Sequence, residues 1–318
     1  MRIVDLHCDT ITRLYFDDED DQLRENECHL DLQKLEAGDY LLQNFAIFLD
    51  MTEYKNLDDL TKKIIAYYYE QLEANRERIK PVFKYEDLDH SKINALLTVE
   101  DSELVPYERL EEFYSLGVRM ITLTWNYPNR VGFPNLDGYN LESYEDLRRI
   151  DRDNGLSAYG IAYIKKMEEL GIIIDVSHCS DKVVSDVLEH TTKPFVASHS
   201  NARSCCGVGR NLPDDLILAM ARRGCVIGLN YLGDFLSDDC TNESRIADMV
   251  RHLKHFEKLG VLDNVGLGSD FDGIDGKLEV YDGRALPNLV RALKKEFTPV
   301  EVKKITHLNV LRLYQQLL

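Results

Sequence analysis

Four things are missing from this 318-residue chain: a C-x-x-C pair, an apolar run long enough to cross a bilayer, a patch of Lys and Arg, and a flexible linker. The seven cysteines are odd in number and two are adjacent, at Cys205 and Cys206, so neither a disulfide framework nor a structural zinc knuckle is expected. Reduced thiols in a cytoplasm are expected instead. No apolar window approaches the roughly 20 residues that span a membrane, and the start, MRIVDLH, has neither the basic nor the apolar region of a signal peptide. A soluble cytoplasmic protein follows as the expectation. The 38 Lys and Arg are scattered among 56 Asp and Glu, and the net charge of −18 argues against a nucleic acid or an anionic membrane as partner. The acidic run DDEDD at 17–21 reads as a solvated loop. With no linker, repeat or low-complexity tract, residues 1–318 are expected to form one domain.

What is present is regular. Hydrophobic residues at 44% and charged residues at 30% are those of a folded globular chain rather than a disordered one. Eight short aliphatic runs predict strands at 2–7, 41–49, 93–100, 119–125, 172–178, 194–199, 225–230 and 265–270. Most are almost continuously apolar, as parallel strands covered on both faces must be. Between them, three- and four-residue apolar spacing predicts helices near 57–79, 107–116, 156–170, 180–190, 213–223 and 243–260, and the C-terminal VLRLYQQLL reads as one more. Gly117, Gly171, Gly224 and Gly260 sit where left-handed helix caps are needed. Eight strands alternating with helices predict an α/β fold of the (β/α)8 TIM-barrel kind, with an open doubly wound sheet as the competing reading. Residues 10–38 and 126–155 read as long loops after the first and fourth strands.

A barrel enzyme keeps its chemistry at the C-terminal ends of its strands. Here those ends carry His7-Cys8-Asp9, Glu100-Asp101, His178, His199 and Asp270, so three of the nine histidines fall at predicted strand ends. Strand alternation places His7 and Asp9 on one face with Cys8 on the other, pairs Val176 with His178, and gives Asp101 the opposite parity to Glu100. Asp5 shares the parity of His7 but lies deeper, and reads as a supporting group. A lone histidine is usually a satisfied polar residue. Three around one mouth, with carboxylates, suit Zn2+, Mn2+ or Fe2+, and they exceed the three ligands of a single catalytic zinc. Two ions about 3.5 to 4 Å apart sharing a bridge fit better, with Glu100 as the best-placed bridging carboxylate.

The segments HCD, TVED, DVSHCSD, ASHSNARS, GVGRNLPDD and GLGSDFDGI together resemble the membrane (renal) dipeptidase family, binuclear zinc peptidases on an amidohydrolase-type barrel. The resemblance runs from residue 3 to about 314 and includes the 21-residue spacing of His178 and His199 and the 11-residue spacing from His199 to Arg210. It implies a dipeptidase with two Zn2+ per subunit, bridged by Glu100 and a water or hydroxide that attacks the scissile carbonyl. His7 and Asp9 would bind one ion, His178 and His199 the other. Arg210 would pair with the substrate carboxylate, and Asp270 would hold the amino group and shuttle a proton. By the same resemblance the substrates are L-L dipeptides, with L-D dipeptides tolerated, and the protein is a homodimer.

One departure stands out. The family often carries a histidine after the fourth strand, where this chain has Trp125 and Asn126, so these two are expected to touch substrate in its place. Tyr127 and Tyr231 are further candidates for lining the pocket, and Phe271, Asp272 and Gly273 for shaping its rim. The competing functions are another amidohydrolase, a lactonase or β-lactam-type amide hydrolase, and a metal- or peptide-binding homologue with impaired catalysis.

Overall fold

The computed structural model describes residues 2–16, 22–136, 138 and 144–318; the acidic run 17–21 lies outside the described residues, as do six positions of the 126–155 stretch. Eight parallel strands form a closed ring: β1 Ile3–Asp5, β2 Tyr40–Phe48, β3 Ile93–Glu100, β4 Val118–Thr122, β5 Ile173–Asp175, β6 Val196–Ala197, β7 Val226–Leu229 and β8 Val265–Leu267. Each pairs with the next, and β8 closes on β1 through Leu267 opposite Asp5. The closure removes the open-sheet alternative. A further parallel strand, Ile79–Pro81, lies along the first half of β3, whose second half pairs with β4.

Burial explains the near-continuous apolar runs. Every residue of β1 and β3 to β8 is buried, so each strand must be apolar towards both the barrel interior and the outer helices. At the N-terminal end of the barrel, Val4, Leu42, Leu96, Met120, Ile173, Val196 and Val226 pack on Val310, Leu313 and Tyr314 of the helix Asn309–Leu317. The Tyr314 hydroxyl exchanges hydrogen bonds with the Asn44 amide of β2, at 2.7 and 2.9 Å. The C-terminal helix is therefore the floor of the barrel, and the pocket opens at the other end.

The predicted glycine caps are present, and serine caps accompany them. Ser157 and Ser180 accept from Gly160 N and Val183 N at the starts of helices Ala158–Leu170 and Asp181–His190, and all four glycines have φ between 74° and 99°. The helix expected at 57–79 stops at Ala74, and residues 10–38 hold two short helices, Thr10–Phe16 and Leu32–Ala37, in place of the expected loop. TITRLYF is rich in β-branched and aromatic residues, poor helix formers alone, so this helix owes its existence to the core it covers. Helix Leu286–Glu296, with Pro287 in its first turn, is an addition to the helices expected from apolar spacing.

Five strands end two or three residues earlier than their apolar runs predict; one ends at Thr122, and the four ending at Asp5, Asp175, Ala197 and Leu267 share a cause. Side chains take over the amides that would have continued the ladders. Asp175 Oδ1 accepts from Ser177 N at 3.0 Å and Ser198 N at 2.8 Å; Asp5 Oδ1 accepts from His7 N at 3.2 Å and Ser269 N at 2.9 Å. Beyond these ties the chain turns, with His178 and Asp270 in left-handed conformation at φ 69° and 62°. Strand parity consequently does not govern the direction of His178.

Candidate metal centre and active site

His7 and Asp9 flank the β1 exit, Glu100 is the last residue of β3, and His178, His199 and Asp270 lie on the turns after β5, β6 and β8. All six are at least nine-tenths buried. Glu100 faces two ways: Oε1 is 2.9 Å from His178 Nε2 and 3.5 Å from His199 Nε2, while Oε2 is 3.4 Å from His7 Nε2. Asp9 Oδ2 is 3.4 Å from the same His7 nitrogen. Two groups of metal-ligating atoms result, His7/Asp9/Glu100 and Glu100/His178/His199, each within 4.8 Å and sharing Glu100. A third grouping joins His7 and His199 to Asp175, but the Asp175 oxygens already receive Ser177 N, Ser198 N, Thr122 Oγ1 and Ser198 Oγ. Cys8 is buried in the core on the opposite side.

The donor set fits divalent cations. His178 Nε2 and His199 Nε2 face each other at 2.9 Å, and each ring is held through its other nitrogen, by Asn126 Oδ1 at 2.8 Å and Ser198 Oγ at 2.7 Å. An amide oxygen only accepts, so His178 Nδ1 carries the proton and Nε2 is a bare lone pair. Among the described residues His7 Nδ1 and Nε2 and Asp9 Oδ1 are buried without hydrogen-bond partners, a deficit of the order of 1–3 kcal/mol per atom that a cation would relieve. Titration points the same way. Burial and the Arg210 charge pull His178 down to about 4, and burial with the His7 charge holds His199 well below its usual range. His7 is driven well above its usual range, Glu100 and Asp9 overcoming its burial. A positive charge is demanded between these carboxylates.

Asp270 is pushed up to about 7, chiefly by burial and despite His7. Its Oδ2 accepts from Asn230 Nδ2 at 2.8 Å, leaving Oδ1 3.9 Å from His7 Nε2. Arg210 is 3% exposed; Nη1 donates to Ser200 Oγ at 3.1 Å, while Nε and Nη2 have no hydrogen-bond partner among the described residues. Its guanidinium lies 5.6 Å from the ring of Phe235. A cavity of about 470 Å³ lies over the centre, lined by Asp9, Glu100, His178 and Asp270 and walled by Phe16, Phe48, Trp125, Asn126 and Phe235. Arg210 does not line this cavity; it lies against Phe235, which does.

Several expectations change here. Asn126 lines the cavity and also holds His178, a supporting role that its position alone did not reveal. Trp125 packs between Phe48 and Tyr127, at ring separations of 4.7 and 5.7 Å. Tyr231 and Phe271, expected at the pocket or its rim, are fully buried against each other, while Asp272 and Gly273 do reach the cavity. The register explains this: Cys8 and Phe271 bridge β1 and β8 backbone and turn both side chains outwards into the core. Asp101 is buried as a supporting group, accepting from Trp125 N, Asn129 Nδ2 and Glu103 N. Asn230 is a site residue that sequence reasoning did not find; its signal was a polar residue ending an apolar barrel strand.

A closed parallel barrel whose mouth gathers His-x-Asp, a glutamate, two histidines and an aspartate defines a hydrolase of the amidohydrolase barrel type. The chain belongs to the membrane dipeptidase family, peptidase family M19, whose model matches residues 1–317, and it is a metallo-dipeptidase. Among curated relatives, it is 30% identical over 309 residues to an uncharacterized dipeptidase of Schizosaccharomyces pombe, covering 91% of this chain and 72% of that protein. It is 39% identical over 187 residues to an uncharacterized Klebsiella pneumoniae protein from the pqqA 5' region, covering 58% of this chain and 66% of that one. Among solved structures, dipeptidase AC, a family M19 metallopeptidase, superposes with a TM-score of 0.88 at 25% identity, covering 100% of this chain and 98% of that one. A Rhodobacter sphaeroides metallopeptidase liganded with a phosphinate mimic of L-Ala-D-Ala superposes at 0.85 and 22% identity, covering 100% and 99%.

Proposed function

We propose that the chain hydrolyses dipeptides at a pair of divalent ions, taken as Zn2+, held by His7 and Asp9 on one side, His178 and His199 on the other, and Glu100 between them. The observation that carries this reading is the split orientation of Glu100, one oxygen towards each imidazole group. Such ions, when bound, lower the pKa of a shared water and polarise the scissile carbonyl. The chain supplies the rest. Arg210, buried with two unused donor nitrogens, pairs with the substrate's free carboxylate, a geometry its planar fork suits. Asp270, fixed through Asn230, holds the amino group and would pass to the departing amine a proton taken from the attacking water. Recognition of both termini limits the substrate to two residues. L-L and L-D dipeptides are both proposed, the latter because the Rhodobacter relative binds an L-Ala-D-Ala mimic.

For the setting, a cytoplasmic location is proposed. Among the described residues no disulfide joins the cysteines, and no helix is long and apolar enough to cross a membrane.

The test measures metal content and turnover on a panel of L-L and L-D dipeptides, a lactone and a β-lactam, with Asp270→Asn beside the parent. Two ions per chain, dipeptide turnover, and a loss of about 10²-fold or more in kcat for Asp270→Asn are expected. Full metal loading without dipeptide turnover would overturn the reading.

A further inference from the structure

We propose that Asp175, acting through the Ser198 hydroxyl, fixes the tautomer and direction of the His199 imidazole and is therefore a positioning residue for one metal site. The proposal rests on the reading of His199 as a ligand. Asp175 ends β5 and is fully buried. Its carboxylate takes four hydrogen bonds: Oδ1 from Ser177 N and Ser198 N, Oδ2 from Thr122 Oγ1 at 2.7 Å and Ser198 Oγ at 2.5 Å. Four donors fill the lone-pair sites of a carboxylate. The Ser198 hydroxyl hydrogen is thus committed to Asp175. Only lone pairs then remain on Ser198 Oγ to meet His199 Nδ1 at 2.7 Å, so that nitrogen carries the proton. Nε2 is left as a bare lone pair directed towards Glu100 Oε1 and His178 Nε2.

The surrounding bonds accept the same assignment. Ser177 Oγ receives His199 N at 3.0 Å and lies 3.2 Å from Ser198 Oγ, free to donate there. Asp5, at the end of β1, provides the contrast. It ties two backbone amides just as Asp175 does, yet among the described residues its buried Oδ2 and His7 Nδ1 have no hydrogen-bond partner. The two aspartates share the strand-tying role, and Asp175 alone carries it on to an imidazole. Outer groups of this kind typically change metal affinity by about 10- to 100-fold.

The experiment challenges metal-loaded protein with graded chromogenic chelator and records the visible spectrum of the Co2+-loaded form. Ser198→Ala is expected to release one of two ions at about 10- to 100-fold lower chelator, the other at the parental concentration, with a shifted Co2+ band and a fall in kcat larger than the change in KM. Ser198→Thr, which keeps the hydroxyl, is expected to retain both ions within about threefold of the parent. Thr122→Ala removes one Asp175 donor but spares the relay, and measures general loosening. Equal ion loss in Thr122→Ala and Ser198→Ala, or a folded Ser198→Ala that holds both ions like the parent, would overturn the proposal. Fewer than two ions on the unmutated chain would instead overturn the two-ion reading beneath it.

Discussion

Gly273 has no side chain, and a Cβ placed there would lie 2.3 Å from Asp9 Oδ2 and 2.8 Å from Asp270 Oδ1. Those atoms are the tips of side chains, so an alanine would displace them and leave the backbone in place. Gly273→Ala is expected to unfold within about 1 kcal/mol of the parent while losing at least tenfold in kcat/KM, as chemical denaturation and steady-state kinetics will show. His252 works in the opposite sense, on stability and away from the cavity. Its Nδ1 accepts from Ala202 N at 3.2 Å and its Nε2 donates to Leu236 O at 3.0 Å, a pairing only the neutral ring can make. Burial pulls its pKa down to about 4. Because that value lies below the unfolded one, near 6.5, its contribution is complete above about pH 6.5 and is lost as pH falls towards 4. Between pH 7 and pH 5 the unfolding free energy should drop by about 2 kcal/mol from this group. Urea unfolding in chelator at both pH values, on the parent and His252→Gln, measures it, and a variant with the parental pH dependence would refute the assignment.

At the scale of elements, the positions of caps and strand runs were legible in the sequence because each depends on local chemistry. Gly224 shows the point: its φ is 83°, and the nearest atom to a Cβ added at that position is Arg312 Nη1 at 3.7 Å. Gly224→Ala therefore meets no clash, only the left-handed backbone, and should cost about 1–2 kcal/mol by chemical denaturation. Where strands end was not legible. An apolar run such as IIIDVSH gives no sign that Asp175 will capture two amides and turn the chain before His178. The same reach across strands hid Asn126 as the partner of His178 and Asn230 as the partner of Asp270. Ligand-type residues announce themselves by type and place. Their supports are ordinary polar residues, distinguished only by what folding brings beside them.

For the whole molecule, the alternation of strands and helices carried the barrel, but how it is closed at the bottom came from tertiary packing. The helix Asn309–Leu317 seals that end through apolar contacts and the Asn44–Tyr314 pair. Tyr314→Phe removes the hydroxyl and leaves the buried Asn44 amide short of both a donor and an acceptor, so a loss of about 1–3 kcal/mol is expected in urea unfolding. Asn44→Leu in the same background should recover part of it. The route by which the chain reaches this state is also constrained. Ring closure joins residue 5 to residue 267, and the floor arrives only with residues 309–317. A nascent chain emerging from the ribosome carries His7 and Asp9 long before their partners exist, on a first strand with an open edge and an apolar barrel end exposed to water. Until β8 has paired with β1 the ring stays open, and until residues 309–317 have been added its apolar end stays uncovered.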